Sequence, residues 1–161
     1  MRGGALTPAL LAAALGFALS YAPARARLWG VAIFGLAALG VSFAKLSPST
    51  TDGIFLACWA SILITAATVH LPRGRTLVAI ALLSLNAGVW TGAVLAATGK
   101  PIDRLIALPV VLLCLPGAWL VSRRWGLGVK VLASWLVAVA ILGASLPLLT
   151  PTPGYVADHM E

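Results

Sequence analysis

Acidic side chains are scarce in this sequence, which has four Asp and Glu against eleven Lys and Arg. Charged residues of both signs make up only 9% of the chain, whereas a soluble domain usually carries about 25%. The composition therefore leaves no room for a soluble domain beside a membrane part. The formal net charge of +7 does not indicate nucleic-acid binding here, because membrane proteins concentrate Lys and Arg in their cytoplasmic loops.

No Asp, Glu, Lys or Arg lies in the interior of any long hydrophobic segment. Such charges usually mark ion routes, proton relays or substrate counter-ions, so proton-coupled transport lacks its usual carrier group. The acids fall in three separate segments and form neither a pair for acid–base hydrolysis nor a cluster for a metal-bound diphosphate: Asp52, Asp103, Asp158 and Glu161. We therefore expect no enzymatic activity, no cofactor and no metal site.

Cysteine and histidine are also rare, with two residues of each. Cys58 and Cys114 lie in apolar segments at different expected depths, which disfavours a disulfide between them. His70 is interpreted as an interfacial residue, since a lone histidine cannot form a metal site and Ser61 is more than two helical turns away from it. The tail residues of metal-binding type are expected to be solvated: Asp158, His159 and Glu161.

What the chain does have is six apolar segments, at about 4–22, 28–43, 53–69, 76–98, 105–121 and 129–150. The fourth segment, 23 residues without a charge, is long enough to cross a bilayer as one helix. The pattern predicts an all-α integral membrane protein, a compact bundle of about six antiparallel transmembrane helices with short loops. We expect residues 1–150 to form this domain and residues 151–161 to form an outward-facing tail.

The basic residues predict the orientation of this bundle in a bilayer. One side carries all four acids and four bases, Arg2, Lys45, Lys100 and Arg104. The other side carries no acid and the remaining bases: Arg25, Arg27, Arg73, Arg75, Arg123, Arg124 and Lys130. By the positive-inside rule the second side is cytoplasmic, so both termini should face the periplasm from the inner membrane.

Small residues recur every four positions in two of the segments. In the fourth segment they are Ser84, Gly88, Gly92 and Ala96, and in the first they are Ala12, Gly16 and Ser20. This spacing places each set on one helix face, where another helix can approach to backbone contact. We expect the fourth segment to be the central helix and the small stripe of the first segment to be a packing partner for it.

Polar residues and helix breakers mark three other places. Asn86 is the only carboxamide in the chain and lies near the expected middle of the bilayer. Ser61 and Thr65 share one face of the third segment and either line a pathway or pack against neighbouring helices. The fifth segment should be kinked or interrupted by three residues, Pro109, Pro116 and Gly117.

Two functional hypotheses follow from these features. The first is a non-catalytic membrane subunit that packs against partner helices to assemble or stabilise a larger complex. As partners we expect the lipid bilayer and other membrane protein subunits or a homo-oligomer. The alternative is a small permease or channel that acts as an oligomer, since broken helices can form substrate sites in transporters. A substrate-binding subunit of a modular importer is disfavoured, because such subunits keep both ends in the cytoplasm.

Overall fold

The computed structural model describes residues 5–44, 46–47, 50–71, 76–98 and 101–145, and these form helices and turns without a strand. The α-helices are α1 Leu6–Leu19, α2 Ala24–Ser42, α3 Thr51–Ala67, α4 Leu77–Thr98, α5 Pro101–Ala107, α6 Cys114–Ser122 and α7 Gly126–Ser145. A 3₁₀ turn, Thr68–His70, extends α3. A longer 3₁₀ segment, Leu108–Leu113, joins α5 to α6, and the three pieces together are called the interrupted helix.

The all-helical prediction is confirmed over the described residues. Five helical segments are long and apolar enough to cross a membrane: Ala24–Ser42, Thr51–His70, Leu77–Ala97, Ile102–Ser122 and Gly126–Ser145. Helix α1 is shorter than these five segments, with 14 residues and a length of about 21 Å at about 1.5 Å per residue. The predicted tail, residues 151–161, lies outside the described residues.

Helix α1, and not α4, occupies the centre of the bundle. It contacts α3, α4, α7 and all three parts of the interrupted helix. Most of its residues are buried, including Leu11, Leu15 and the alanines between them. The prediction of a central fourth helix is therefore wrong. The physical reason is that a short, alanine-rich helix is narrow and apolar on every face, so neighbours can surround it.

The helices pair differently from their order in the chain. Helix α2 packs chiefly on α4, and α3 packs most extensively on α7. Two pairs of sequence neighbours also pack together, α3 with α4 and α6 with α7. The expectation that each helix lies mainly beside its sequence neighbour is therefore wrong for α2. A short loop forces two neighbours to be antiparallel, so the parallel helices α2 and α4 can pair only because α3 returns the chain between them.

The turn after α6 contains the only residue other than glycine with positive φ among the described residues, Arg124 at φ 64°. The Trp125 amide donates to the Leu120 carbonyl at 2.9 Å, and the Arg124 amide donates to the Val121 carbonyl at 3.1 Å. These two bonds form a Schellman motif, in which the left-handed position normally holds glycine. Arg124 thus adopts a conformation that costs free energy for a residue with a Cβ atom.

We predict that Arg124→Gly stabilises the folded chain by about 0.5–1 kcal/mol, because glycine adopts the left-handed conformation without a steric cost. Thermal unfolding in detergent, followed by circular dichroism, measures the effect. Arg124→Ala is the control, since it removes the same charge and keeps the strained backbone. Equal stabilisation by both substitutions would mean that the charge, and not the backbone, is responsible.

Candidate functional site

The small residues of α4 form its contact with α2. A Cβ atom added to Gly88 would lie 2.7 Å from the Phe34 carbonyl oxygen, and one added to Gly92 would lie 2.5 Å from the Ala38 carbonyl oxygen. Gly88 and Gly92 are four residues apart, as are Phe34 and Ala38, so the two helices run parallel in continuous register. Ser84 extends this contact, because its Oγ lies 3.0 Å from where a Gly30 Cβ would be. Ala96, at the far end of the stripe, is half-buried.

The small residues of α1 face the interrupted helix. A Cβ on Gly16 would lie 3.0 Å from the Val111 carbonyl oxygen and 3.2 Å from the Cys114 nitrogen. One turn further on, a Cβ on Gly117 would overlap Ser20 Oγ. Ala12, the first member of this stripe, is fully buried. The first and fourth helices do pack on each other, as predicted, but the glycines of their two stripes face other helices.

The interruption of the fifth span lies where α1 approaches most closely. Pro109 stands second in the 3₁₀ segment, and Pro116 stands third in α6, in the first turn after the change from 3₁₀ to α geometry. Both prolines are exposed, whereas Gly117 is buried against Ser20. The chain therefore places its helix-breaking rings outward and turns its glycine and its 3₁₀ backbone toward α1.

Two of the predicted polar residues meet between α3 and α4. The Asn86 Nδ2 group donates a hydrogen bond to Ser61 Oγ, and Ser61 is buried while Asn86 is half-buried. The second N–H bond of Asn86 and its Oδ1 atom have no hydrogen-bond partner among the described residues, and Oδ1 is not a buried atom. Asn86 therefore links α3 to α4 and keeps one N–H donor and one acceptor without a partner among the described residues.

Other hydroxyl groups in the interior follow two patterns. Ser20 donates to the Gly16 carbonyl at 2.9 Å and Thr68 to the Thr65 carbonyl at 2.7 Å, so each is satisfied within its own helix. Three buried hydroxyls have no partner in the part of the chain that the structure describes: Thr65, Ser84 and Thr91. Unpartnered buried hydroxyls are unusual, because burial without a hydrogen bond costs about 1–3 kcal/mol.

A contact of the Arg104 guanidinium with the end of α2 was not predicted from the sequence. Arg104 donates from Nη2 to the Ser42 carbonyl at 3.1 Å, and its Cζ lies 4.7 Å from the centroid of the Phe43 ring. The guanidinium thus caps the last carbonyls of α2, where a cation is favoured by the helix dipole. Asp103 beside it is buried. The signal in the sequence was an acid next to a base at the start of the fifth segment, two residues after Pro101.

The predicted histidine and cysteine positions show no assembled catalytic or metal site. His70 is exposed, and its Nε2 lies 3.3 Å from Ser134 Oγ on α7. Cys58 and Cys114 are separate, buried thiols. Among the described residues no three His, Cys, Asp or Glu side chains lie together. Asp158, His159 and Glu161 lie outside the described residues.

Comparison of the chain with protein-family models, with curated proteins and with solved structures finds no match. The features of the bundle that bear on function are the close glycine contacts between helices, the interrupted helix beside the central helix, and one half-buried carboxamide with unused hydrogen-bonding groups.

We predict that Gly92→Ala destabilises the folded chain by about 1–3 kcal/mol, because the added methyl group must displace the α2 backbone. Gly40→Ala is the matched control on α2, where an added Cβ meets nothing within 4 Å. It should be neutral or stabilising by up to about 1 kcal/mol, because alanine favours helix. Thermal unfolding in detergent compares the two, and equal effects would contradict the α2–α4 contact described above.

Proposed function

We propose that this protein is a non-catalytic integral membrane subunit that packs against partner helices and helps to assemble or stabilise a larger membrane complex. The observation that carries this proposal is the half-buried Asn86 carboxamide, with a free donor and a free acceptor on a lipid-length helix. An unsatisfied polar group facing hydrocarbon is costly, whereas interhelical hydrogen bonds from Asn contribute about 0.5–2 kcal/mol. Contact with a partner helix removes that cost.

The surface around the bundle supports the same proposal. Large apolar side chains cover the outer faces of α2, α6 and α7, including Leu36, Trp119 and Trp135. The glycines that contact other helices within the bundle, such as Gly88 and Gly92, are already used in folding. What remains outward is therefore an apolar surface for lipid or partner helices, with Asn86 as a polar point of attachment.

We also propose that six spans cross the inner membrane and that both termini face the periplasm. The bases Arg25, Arg123 and Lys130 gather at the end of the bundle where the Tyr21 hydroxyl donates to the Gly126 carbonyl at 2.7 Å. Asp52 and Asp103 belong to the opposite end. This asymmetry fits a cytoplasmic basic end under the positive-inside rule. For α1 to cross, its 14 helical residues must be supplemented by flanking chain or by local thinning of the bilayer.

Mild-detergent purification of the tagged chain, followed by mass spectrometry of all co-eluting proteins, tests the subunit function. We expect one or a few other membrane proteins at fixed stoichiometry, and we expect Asn86→Leu to reduce their recovery. Gly40→Ala is the control and should leave recovery unchanged. Elution of the wild-type chain alone, as a monomer or as a defined oligomer, would contradict the proposal.

A small permease or channel, acting as an oligomer, is the second candidate. It is favoured by the interrupted helix beside α1 and by the buried, unpartnered hydroxyls of Thr65, Ser84 and Thr91. Broken helices expose backbone groups that bind cargo in transporters. Solute flux into vesicles that contain the purified chain is the distinguishing measurement. Flux through the purified chain without any partner protein would favour transport over the subunit function. This flux should fall in Pro116→Ala while that variant stays folded.

A further inference from the structure

The free hydrogen-bonding groups of Asn86 lie at the middle of a transmembrane-length helix. Asn86 is the tenth of the 22 residues of α4, so it lies near half-depth if α4 crosses a bilayer. One of its N–H bonds is directed to Ser61 on α3, and the other N–H and the Oδ1 atom have no partner among the described residues. No water is present at this depth to satisfy them.

The residues around Asn86 on α4 are exposed and apolar. Leu82, one turn before Asn86, is 61% exposed, and Leu85 is 48% exposed. On α3, Ala60 precedes the Ser61 partner and is exposed. The face that includes Leu82, Leu85, Asn86 and Ala60 is called the Asn86 face. It is apolar and contains one polar group, as a surface that contacts another membrane helix can be.

We propose that the Asn86 face binds a second copy of this chain, in a two-fold dimer whose axis runs along the membrane normal. A carboxamide is self-complementary, because the free N–H of one copy can donate to the free Oδ1 of the other, and the reverse bond is then formed at the same time. Every copy is inserted with the same orientation, and rotation about the membrane normal keeps each residue at its own depth. Asn86 therefore meets Asn86 without any further adjustment, whereas an unrelated partner must carry its own polar group at that depth.

This inference concerns the same surface as the proposed subunit function but goes beyond that function, because the partner is a second copy of the chain and not a different membrane protein. The test uses the full chain with a fluorescent label, reconstituted in vesicles over a range of protein-to-lipid ratios. Photobleaching steps are counted to obtain the dimer dissociation constant. We expect wild type to dimerise and Asn86→Leu to weaken the dimer on the order of 3- to 30-fold, the range that interhelical hydrogen bonds provide.

Ser61→Ala is the control variant, because it breaks the same hydrogen bond within the chain and leaves the carboxamide in place. It should dimerise within about twofold of wild type, since its contact is intramolecular. Equal weakening by Asn86→Leu and Ser61→Ala would overturn the proposal, because the effect would then come from the α3–α4 contact. Unchanged dimerisation of Asn86→Leu would also overturn it.

Cysteine cross-linking provides an independent measurement of the same face. Leu82→Cys on α4 should form disulfide-linked dimers, whereas Leu36→Cys, at a 74% exposed position on α2, should not. The native Cys58 and Cys114 are buried and do not compete. Cross-linking at position 36 and not at position 82 would place the interface elsewhere and overturn the proposal.

The outcomes also separate this inference from the proposed function. A wild-type chain that stays monomeric in vesicles, yet co-purifies with a different membrane protein through Asn86, overturns the second-copy inference and supports the subunit function. A chain that dimerises through Asn86 and co-purifies with nothing else supports the inference and overturns the subunit function.

Discussion

Contact between helix backbones at glycine is the interaction on which the rest of this bundle depends. In a lipid environment the hydrophobic effect does not drive helices together, so close packing and interhelical hydrogen bonds must do so. Gly88 and Gly92 bring α4 against carbonyl oxygens of α2, and Gly16 brings α1 against the 3₁₀ backbone before α6. On α7, Gly143 makes room for a side chain instead, because an added Cβ would lie 2.6 Å from the Trp59 ring of α3. The glycines thus lie in three separate pairs, α2 with α4, α1 with the interrupted helix, and α3 with α7. The contacts of α1 with α3, α4 and α7 join these pairs into one packed unit.

The close contacts at the two small-residue stripes join parallel helices, and this explains why chain order is a poor guide to packing here. Helices that a short loop connects are antiparallel, so a parallel pair must be separated in the chain by at least one further span. Helix α3 separates α2 from α4, and three spans separate α1 from the interrupted helix. Residue spacing indicated correctly which residues share a face, as for Gly88 and Gly92. It could not indicate which helix would occupy that face, because small residues accept any neighbour whose backbone fits.

The same limit applies to the polar residues. The sequence pointed to Asn86 and to Ser61 separately, but their hydrogen bond depends on the antiparallel register of α3 and α4, which spacing within one helix does not determine. The left-handed Arg124 and the cap that Arg104 places on α2 were not predicted, since both are set by local geometry at helix ends. The class of fold could be predicted because composition and segment length depend on the chain alone, whereas the site depends on which helices meet.

Folding and the proposed assembly use different faces of α4. The glycine face of α4 packs within the chain, so a substitution there acts first on stability. Asn86 lies on a different face, and its bond to Ser61 uses only one of its hydrogen-bonding groups. Interhelical hydrogen bonds in membranes contribute little individually, about 0.6 kcal/mol on average, because competing partners also exist in the dissociated state. An assembly that depended on one carboxamide would therefore be weak and sensitive to local concentration. Because the glycine contacts lie within one chain, the proposed assembly is not needed to form them.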